Sequence, residues 1–255
     1  MPAAASATTT HDRLFAGALS LRQPARGIGY RVNVDALLLG AFAARTLAGG
    51  EQSVARARHA VDLGSGVGGV GLTLLHLAAA TRVSFVELDE TLATLATQNV
   101  QDNGWAERAE VLHADATDAA EQLRAAANLV VCNPPYVPPG RGRVPAEQVR
   151  SAKYGQLDTF VEAARKIAGS RARVCFVYPA IEATTLLTTL RTSGLEPKRL
   201  RAVHGRATDK ARVVLVEAVA GKPGGLAIEP PFIETDVRGS RTRELAELLA
   251  SPRRG

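Results

Sequence analysis

The sequence predicts an α/β fold: a doubly wound, mostly parallel sheet of seven strands, with helices on both faces and an antiparallel hairpin at its end. Three observations lead to this fold. From residue 60 onward, short apolar runs alternate with segments of helical period. A glycine-rich turn, residues 64–69, follows the first run. The last two predicted strands, 195–203 and 212–218, are separated by a loop without a predicted helix, so they should pair antiparallel.

Two segments precede the sheet. Residues 1–11, rich in Ala, Thr and Ser, are predicted to be a disordered tail. Residues 12–58 are predicted to form a cap on the substrate side: a hairpin or irregular stretch, a helix that begins after Asn33 and ends before Gly50, and a polar link. Asn33 is a favoured N-cap residue type, and glycine commonly ends helices. The rest of the chain, residues 59–255, is predicted to be one domain.

The elements of that domain follow from apolar period and from glycine, proline and acidic breakers. Predicted strands cover residues 60–63, 82–86, 110–113, 129–132, 174–178, 195–203 and 212–218. Predicted helices cover residues 70–80, 90–101, 118–126, 157–168, 181–192 and 243–250. Two proline- and glycine-rich stretches, 137–150 and 221–240, are predicted to be a loop and an extended crossing.

The composition limits the partners and the cellular compartment that can be expected for this protein. The chain has 255 residues, 46% of them hydrophobic, and a formal charge of +6, which favours a polyanionic partner. Cys132 and Cys175 lie in apolar runs and are expected to be buried free thiols, which indicates a reducing, cytoplasmic setting. We expect no membrane partner, because no run resembles a signal peptide or a membrane helix. The five histidines show no ligand spacing, so no metal is predicted. Both a monomer and a homodimer remain open.

The most informative motif is Asn133-Pro134-Pro135-Tyr136, at the end of an apolar run. Two successive prolines cannot continue a central strand, so the motif should form a stiff loop at a strand's carboxyl end, where open α/β sheets bind ligands. The Asn133 side-chain carbonyl and the Pro134 backbone carbonyl could accept both hydrogens of a planar exocyclic amine. Tyr136 offers a face on which a ring can stack. A plain proline turn is the alternative reading.

This motif resembles the catalytic loop of S-adenosylmethionine-dependent methyltransferases that act on adenine, cytosine or glutamine nitrogens. The resemblance implies a Rossmann-like class I methyltransferase fold for residues 59–255, with the cofactor held upstream of the loop. It also implies that Asn133, Pro134, Pro135 and Tyr136 are the catalytic residues.

The glycine turn alone does not identify the cofactor. Gly64, Gly66 and Gly69 match G-x-G-x-x-G, and Glu87 lies where a dinucleotide fold places its ribose-binding acid, so NAD is the competing interpretation. However, Asp62 would repel a pyrophosphate at the helix start and attract a methionine ammonium. Asp115, after the third strand, could accept from an adenine amino group. We therefore predict S-adenosylmethionine.

The resemblance to class I methyltransferases then implies roles for single residues. Asp62 and the turn would line the methionine half of the cofactor, Glu87 would bind the ribose hydroxyls, and Leu88 would flank the adenine beside Asp115. The full predicted cofactor set is Asp62, Gly64, Ser65, Gly66, Gly68, Glu87, Leu88, Asp115 and Ala116.

Two further blocks, residues 29–39 and 103–108, narrow the resemblance to the bacterial tRNA (adenine-N6)-methyltransferase family, which modifies the adenine next to the anticodon of a valine tRNA. The resemblance covers roughly residues 13–250, and the proline- and arginine-rich loop after Tyr136 departs from it. It implies tRNA as the partner. The residues predicted to contact RNA are Arg22, Arg26, Tyr30, Arg31, Asp35, Arg141, Arg143, Arg150 and Lys153. Further candidates near the last hairpin are Arg206, Lys210 and Arg212.

Other functions remain open at this stage. Release-factor glutamine methyltransferases share the Asn-Pro-Pro-Tyr motif, although they carry a helical domain in front of the sheet that the residues before Ala60 do not match. An rRNA or DNA amine is another possible acceptor. A non-catalytic RNA-binding module is disfavoured, because binding RNA requires none of Asp62, Glu87, Asp115 or Asn133.

Overall fold

The computed structural model describes residues 8–27, 31–47, 56–135, 146–221 and 223–254, with backbone only for residues 146–155. Before the sheet, β1 (Thr9–Leu14) pairs antiparallel with β2 (Leu19–Pro24), and α1 follows at Val34–Ala43. Asn33 caps α1 as predicted, since its side chain accepts from the backbone N–H groups of Asp35 and Ala36. The predicted hairpin is therefore present. Because β1 begins at Thr9, the predicted tail was wrong for residues 9–11.

Strands and helices then alternate along the chain. The first half holds β3 (Ala57–Leu63), α2 (Gly69–His76), β4 (Ala80–Glu87), α3 (Glu90–Asp102), β5 (Ala109–His113), α4 (Ala116–Gln122) and β6 (Ala127–Cys132). The second half holds α5 (Ala146–Ile167), β7 (Ala168–Pro179), α6 (Ala183–Thr192), β8 (Leu195–His204), β9 (Ala211–Ala220), β10 (Ala227–Ile228), β11 (Phe232–Ile233) and α7 (Arg243–Leu249).

The main strands lie in the order β8-β9-β7-β6-β3-β4-β5, and β9 runs antiparallel to both of its neighbours. All seven predicted strands are thus in one sheet, with the predicted hairpin at its end. Two strands of two residues each, β10 and β11, add to the β8 edge; the sequence predicted an extended crossing there. The chain leaves β3 toward β4 and returns to β6 on its other side, so the carboxyl ends of these strands form the switch point of the sheet.

One predicted loop was wrong in part. The stretch 137–150 was assigned to a loop because of its prolines and glycines, but α5 already begins at Ala146. No proline follows position 145 in this helix, and a single interior glycine, Gly155, costs only about 1 kcal/mol relative to alanine. Residues 136–145 lie outside the described ranges.

The hairpin of β1 and β2 is attached to the sheet through two asparagines of α3. Asn99 is fully buried; its side chain accepts from Arg22 N at 2.6 Å and donates to Val67 O in the glycine turn at 2.9 Å. The Asn103 side chain accepts from Ser20 N at 2.9 Å and donates to Ser20 O at 2.8 Å. These side-chain amides satisfy backbone groups as a neighbouring strand would, so the hairpin is fixed next to the turn.

A buried carboxylate links the other side of the cap to the sheet. Glu217 of β9 pairs with Arg45 at 2.8 Å and with both Arg173 and Arg199 at 3.1 Å. Burial alone would raise the pKa of Glu217, but the three guanidiniums hold it below its ordinary value. Arg173 and Arg199 also donate to the carbonyls at the end of α1, of Ala43 and Phe42 respectively. The helix is therefore bound to strands β7, β8 and β9 by charge-assisted bonds.

Candidate active site

A cavity of about 600 Å³ opens at the carboxyl ends of β3, β4, β5 and β6, where the switch point of the sheet lies. Its walls combine apolar side chains with a few polar groups, as small-molecule sites do. The residues around it are Gly64, Gly66, Val86, Glu87, Leu88, Leu92, Ala114, Asp115, Ala116, Thr117, Asn133, Pro135, Gln156, Thr159 and Phe160. The structure therefore brings the glycine turn and the asparagine–proline loop to one space.

The glycine turn is shaped by backbone conformations and close contacts that exclude side chains. Gly64 and Gly66 have φ values of +72° and +57°, in the left-handed region that favours glycine. A Cβ atom on Gly64 would lie 2.9 Å from Cε1 of Phe160. The backbone at this point can therefore approach a ligand closely. Gly68 and Ser65 do not line the cavity, which differs from their predicted role; Ser65 is buried, and its carbonyl accepts from Gly68 N.

Glu87, the last residue of β4, is held in the cavity wall by two backbone donors. Its Oε2 accepts from Gly66 N at 2.7 Å, and its Oε1 accepts from Asp89 N at 2.9 Å. Each oxygen keeps a further lone pair, so the carboxylate can still accept from a pair of vicinal hydroxyl groups. This geometry suits the ribose role that the sequence predicted for Glu87.

We expect Glu87→Ala to weaken S-adenosylmethionine binding by more than tenfold. The change removes a charge-assisted acceptor, worth about 1.5–3 kcal/mol per hydrogen bond. Calorimetric titration measures the Kd, and Glu90→Ala is the control because Glu90 is an exposed acid that lies outside the cavity wall. An affinity within about twofold of wild type would rule out the ribose role.

The other wall contains Asp115 and Leu88. Asp115 is the N-cap of α4, where its Oδ1 accepts from Thr117 N at 2.6 Å and Asp118 N at 2.9 Å. Among the described residues no hydrogen bond reaches its Oδ2, so this oxygen is available to an amino group. Ala116 is the first residue of α4, whereas the sequence predicted this helix to begin at 118. Leu88 is 67% exposed, an unusual state for leucine that a flat ring in the cavity would cover.

Asp62 lies behind the cavity, which departs from its predicted place in the wall. Its side chain is completely buried, and Oδ2 accepts from Gly71 N, in the first turn of α2, at 2.8 Å. Burial raises the pKa of Asp62 to about 7, the Gly71 bond opposes this, and the Glu87 charge adds to it. Asp62 could influence a cofactor cation only through the turn and not by direct contact.

Asp62 should make the stability of the free protein fall as the pH rises. Its carboxyl keeps its proton up to about pH 7 when folded, but loses it near pH 4 when unfolded. The unfolding free energy should therefore fall by up to about 4 kcal/mol across this interval. Asp62→Asn should remove this slope, and denaturant unfolding at several pH values measures it. Equal slopes in the two proteins would mean that Asp62 is ionised throughout.

The catalytic loop begins where β6 ends, at Cys132. Asn133 is half-buried and lines the cavity, Pro134 is buried, and Pro135 is exposed at the cavity wall. Tyr136 lies outside the described residues. The structure thus places Asn133 and Pro135 beside the groups that the sequence assigned to the cofactor.

Sequence reasoning missed the contribution of α5 to the site. Gln156, Thr159 and Phe160 all line the cavity, and Phe160 packs against Gly64. The available signal was Phe160 itself, one of only six phenylalanines in the chain, placed within an apolar stripe of α5. Leu92 and Thr117 were also missed, because nothing in their sequence context distinguishes them from ordinary helix residues.

The residues predicted to contact RNA differ in their surroundings. Arg22 pairs with Asp102 at 2.6 Å, and Arg31 pairs with Asp12 at 2.9 Å. Asp35 pairs with Arg212 at 2.5 Å. These side chains stabilise the cap, whereas Arg26 is exposed. Tyr30, Arg141 and Arg143 lie outside the described residues, as do the side chains of Arg150 and Lys153.

Comparison with known proteins adds independent information. Residues 38–153 match the family model described as "Methyltransferase small domain". A protein of Erwinia tasmaniensis named "tRNA1(Val) (adenine(37)-N6)-methyltransferase" is 29% identical over 197 residues, which are 76% of each chain. A protein of Pectobacterium carotovorum with the same name is 32% identical over 152 residues, 58% of each chain, so that match spans less than two thirds of its length.

A solved structure supports the fold. The chain resembles a protein of Agrobacterium tumefaciens described as a predicted O-methyltransferase, with a TM-score of 0.66 and 22% identity over 84% of this chain and 94% of that one. In the described part of the chain, no helix is both long enough and apolar enough to cross a bilayer.

Proposed function

We infer that this chain is a class I S-adenosylmethionine-dependent methyltransferase and that it methylates the exocyclic N6 amine of an adenine in tRNA. The observation that carries the proposal is the position of Asn133. It follows β6 directly and lines the same cavity as Glu87 and Asp115. A single space thus contains an acceptor for an amine beside acceptors for a ribose and an adenine.

The cavity fits S-adenosylmethionine on three observations. The left-handed glycines leave room for close backbone approach, Glu87 presents a fixed carboxylate, and Asp115 has an oxygen without a partner in the described part of the chain. Leu88 and Phe160 supply apolar surface in the lining of the same cavity. When bound, S-adenosylmethionine supplies an activated methyl group on a sulfonium.

The loop residues then prepare the acceptor. The N6 amine of adenine is a poor nucleophile, because its lone pair is delocalised into the ring. Hydrogen bonds from its two hydrogens to the Asn133 side-chain carbonyl and the Pro134 carbonyl favour a pyramidal nitrogen with a localised lone pair. The two prolines hold these acceptors rigidly, so positioning provides much of the rate. An anticodon-loop base reaches such a pocket cheaply, because it is already outside a duplex.

The choice of tRNA rests on the relatives and on charge. Both reported relatives are named for the adenine at position 37 of a valine tRNA, which we propose as the target here. The formal charge of +6 suits a polyanionic partner. We also propose that the protein acts in the cytoplasm, because tRNA is modified there.

The direct test offers the protein several acceptors. Labelled S-adenosylmethionine is incubated with the protein and separated tRNA, rRNA, DNA and protein fractions, and the labelled nucleoside is then identified by mass. We expect label in tRNA as N6-methyladenosine. Label confined to a protein glutamine, or to rRNA or DNA, would overturn the proposal.

A further inference from the structure

A second cavity, of about 450 Å³, lies at the carboxyl ends of β8 and β11, which Gly205 and Glu234 follow. Six aliphatic side chains form most of its wall, and Asn33, Gly205, Glu234, Thr235 and Arg241 form the rest. The aliphatic residues are Leu14, Val32, Val34, Leu37, Leu245 and Leu249. None of them was assigned to the cofactor site or to the catalytic loop. This lining suits a ligand with apolar faces and polar edges.

Packing at the start of α2 connects the linings of the two cavities. Val32, which lines the second cavity, packs on the first residue of α2: a Cβ atom added to Gly69 would lie 2.8 Å from Cγ2 of Val32. The turn before Gly69 lines the first cavity at Gly64 and Gly66. Gly205, on the opposite wall, follows the carboxyl end of β8. Both cavities therefore lie at the carboxyl ends of strands of the same sheet.

Two tight turns form the outer rim, and they are fixed to each other. The turn after β11 donates to the turn after β8, from Thr235 N and Thr235 Oγ1 to Gly205 O at 2.9 and 2.7 Å. Asp236 accepts from the backbone N–H groups of Arg238 and Ser240, and Asp209 accepts from that of Arg206. The carboxylates of both turns thus hold their own backbones, and the rim is preorganised.

Four cations on these turns contrast with the arginines beneath them. Arg199 and Arg212 lie deeper and pair with carboxylates. On the rim, by contrast, the cationic groups form no hydrogen bond or ion pair with any described residue. These exposed residues are Arg206, Lys210, Arg238 and Arg241. Cations left without protein partners around an apolar pocket suit phosphate groups that flank a nucleobase.

We propose that the second cavity binds one unstacked nucleobase of the RNA whose adenine enters the first cavity, and that the four rim cations bind its flanking phosphates. The inference rests on the proposed function and deepens it. The apolar walls cover the faces of the base, while Asn33, Thr235 and Glu234 lie at its edges. A single-stranded loop with two splayed bases would be held at two points, which fixes the register of the target adenine.

The experiment uses the full chain and a valine tRNA transcript with a single 4-thiouridine placed in turn at each anticodon-loop position except the target. Ultraviolet cross-links are mapped to peptides, and tRNA affinity, S-adenosylmethionine affinity and methyl transfer are measured in parallel. We expect one position next to the target adenine to cross-link to residues 31–37 or 234–249. Cross-linking elsewhere on the protein would overturn the proposal.

Three variants separate the parts of the site. Leu249→Trp fills the cavity and should abolish that cross-link. Arg238→Glu with Arg241→Glu should weaken tRNA binding by about tenfold or more without changing S-adenosylmethionine affinity. The matched control is Arg56→Glu with Arg58→Glu. It makes the same charge change at the amino end of β3, away from the carboxyl ends of the strands where both cavities lie.

Equal losses in the two charge variants, or none in either, would overturn the rim assignment. Wild-type methyl transfer is scored separately. A wild type that cross-links at the second cavity but transfers no methyl group to tRNA would contradict the proposed function and support the binding site. If the wild type methylates tRNA and the variant with Arg238→Glu and Arg241→Glu methylates it equally well, the result would support the proposed function and contradict the second binding site.

Discussion

Asn133→Ala should lower methyl transfer by about 10²–10³-fold or more, the range seen when one positioned hydrogen-bonding partner of a reacting group is removed. The alanine leaves one hydrogen of the amine without its acceptor, so the nitrogen lone pair stays delocalised. Cofactor affinity should change little, because Glu87 and the glycine turn are not touched. Single-turnover rates with tRNA and calorimetric titration with S-adenosylmethionine separate the two effects.

A conservative variant tests whether the side-chain acceptor is the cause. Asn133→Asp keeps an acceptor oxygen and should recover part of the rate lost in Asn133→Ala. Pro135→Ala, at the exposed neighbouring position, should lose much less. Turnover of Asn133→Ala close to that of wild type would refute the acceptor mechanism, provided that its melting temperature is normal.

Wild-type affinity for tRNA should fall by about 10³-fold or more between 50 and 200 mM salt if six or more phosphates are neutralised, because each contact releases condensed counterions. Reversing Arg141 and Arg143 to glutamate should flatten this slope and weaken binding similarly for several RNAs, since phosphate contacts carry no sequence information. Filter binding at four salt concentrations gives the slope.

Two controls accompany this measurement. Arg56→Glu with Arg58→Glu makes the same charge change at the amino end of β3 and should leave the slope nearly unchanged. Tyr136→Ala should also keep the slope but reduce turnover, because stacking holds the flipped base and not the backbone. A flat salt response in the wild type would instead favour the glutamine-methyltransferase interpretation.

Local signals in the sequence predicted most of the fold. Most strands of the main sheet contain a short apolar run, and the caps at Asn33 and Asp89 have the side-chain chemistry that starts helices. The early start of α5 was missed because the prolines and glycines that precede Ala146 led to a loop being predicted as far as residue 150. The strands β10 and β11 have two residues each and form only because β8 offers them an unpaired edge, a condition that no local pattern contains.

The sequence could predict a site residue only where its position relative to a strand end determines its place in the fold. Glu87, Asp115 and Asn133 follow strand ends, so the parallel sheet brings them together. The orientation of Asp62 depends on how α2 packs, and its Oδ2 is bonded to Gly71 instead of facing the cavity. Phe160 reaches the site from a helix that follows the catalytic loop, and its contact with Gly64 depends on tertiary packing.

The cluster around Glu217 bears on how this chain could diverge. The end of α1 supplies Arg45 and the carbonyls that accept from Arg173 and Arg199, while β9 supplies the carboxylate. A cap grafted from another methyltransferase would therefore leave buried guanidiniums and a buried carboxylate uncompensated, at a cost of about 3–5 kcal/mol for each broken pair. We therefore expect residues of the cap and of the far hairpin to change together during evolution.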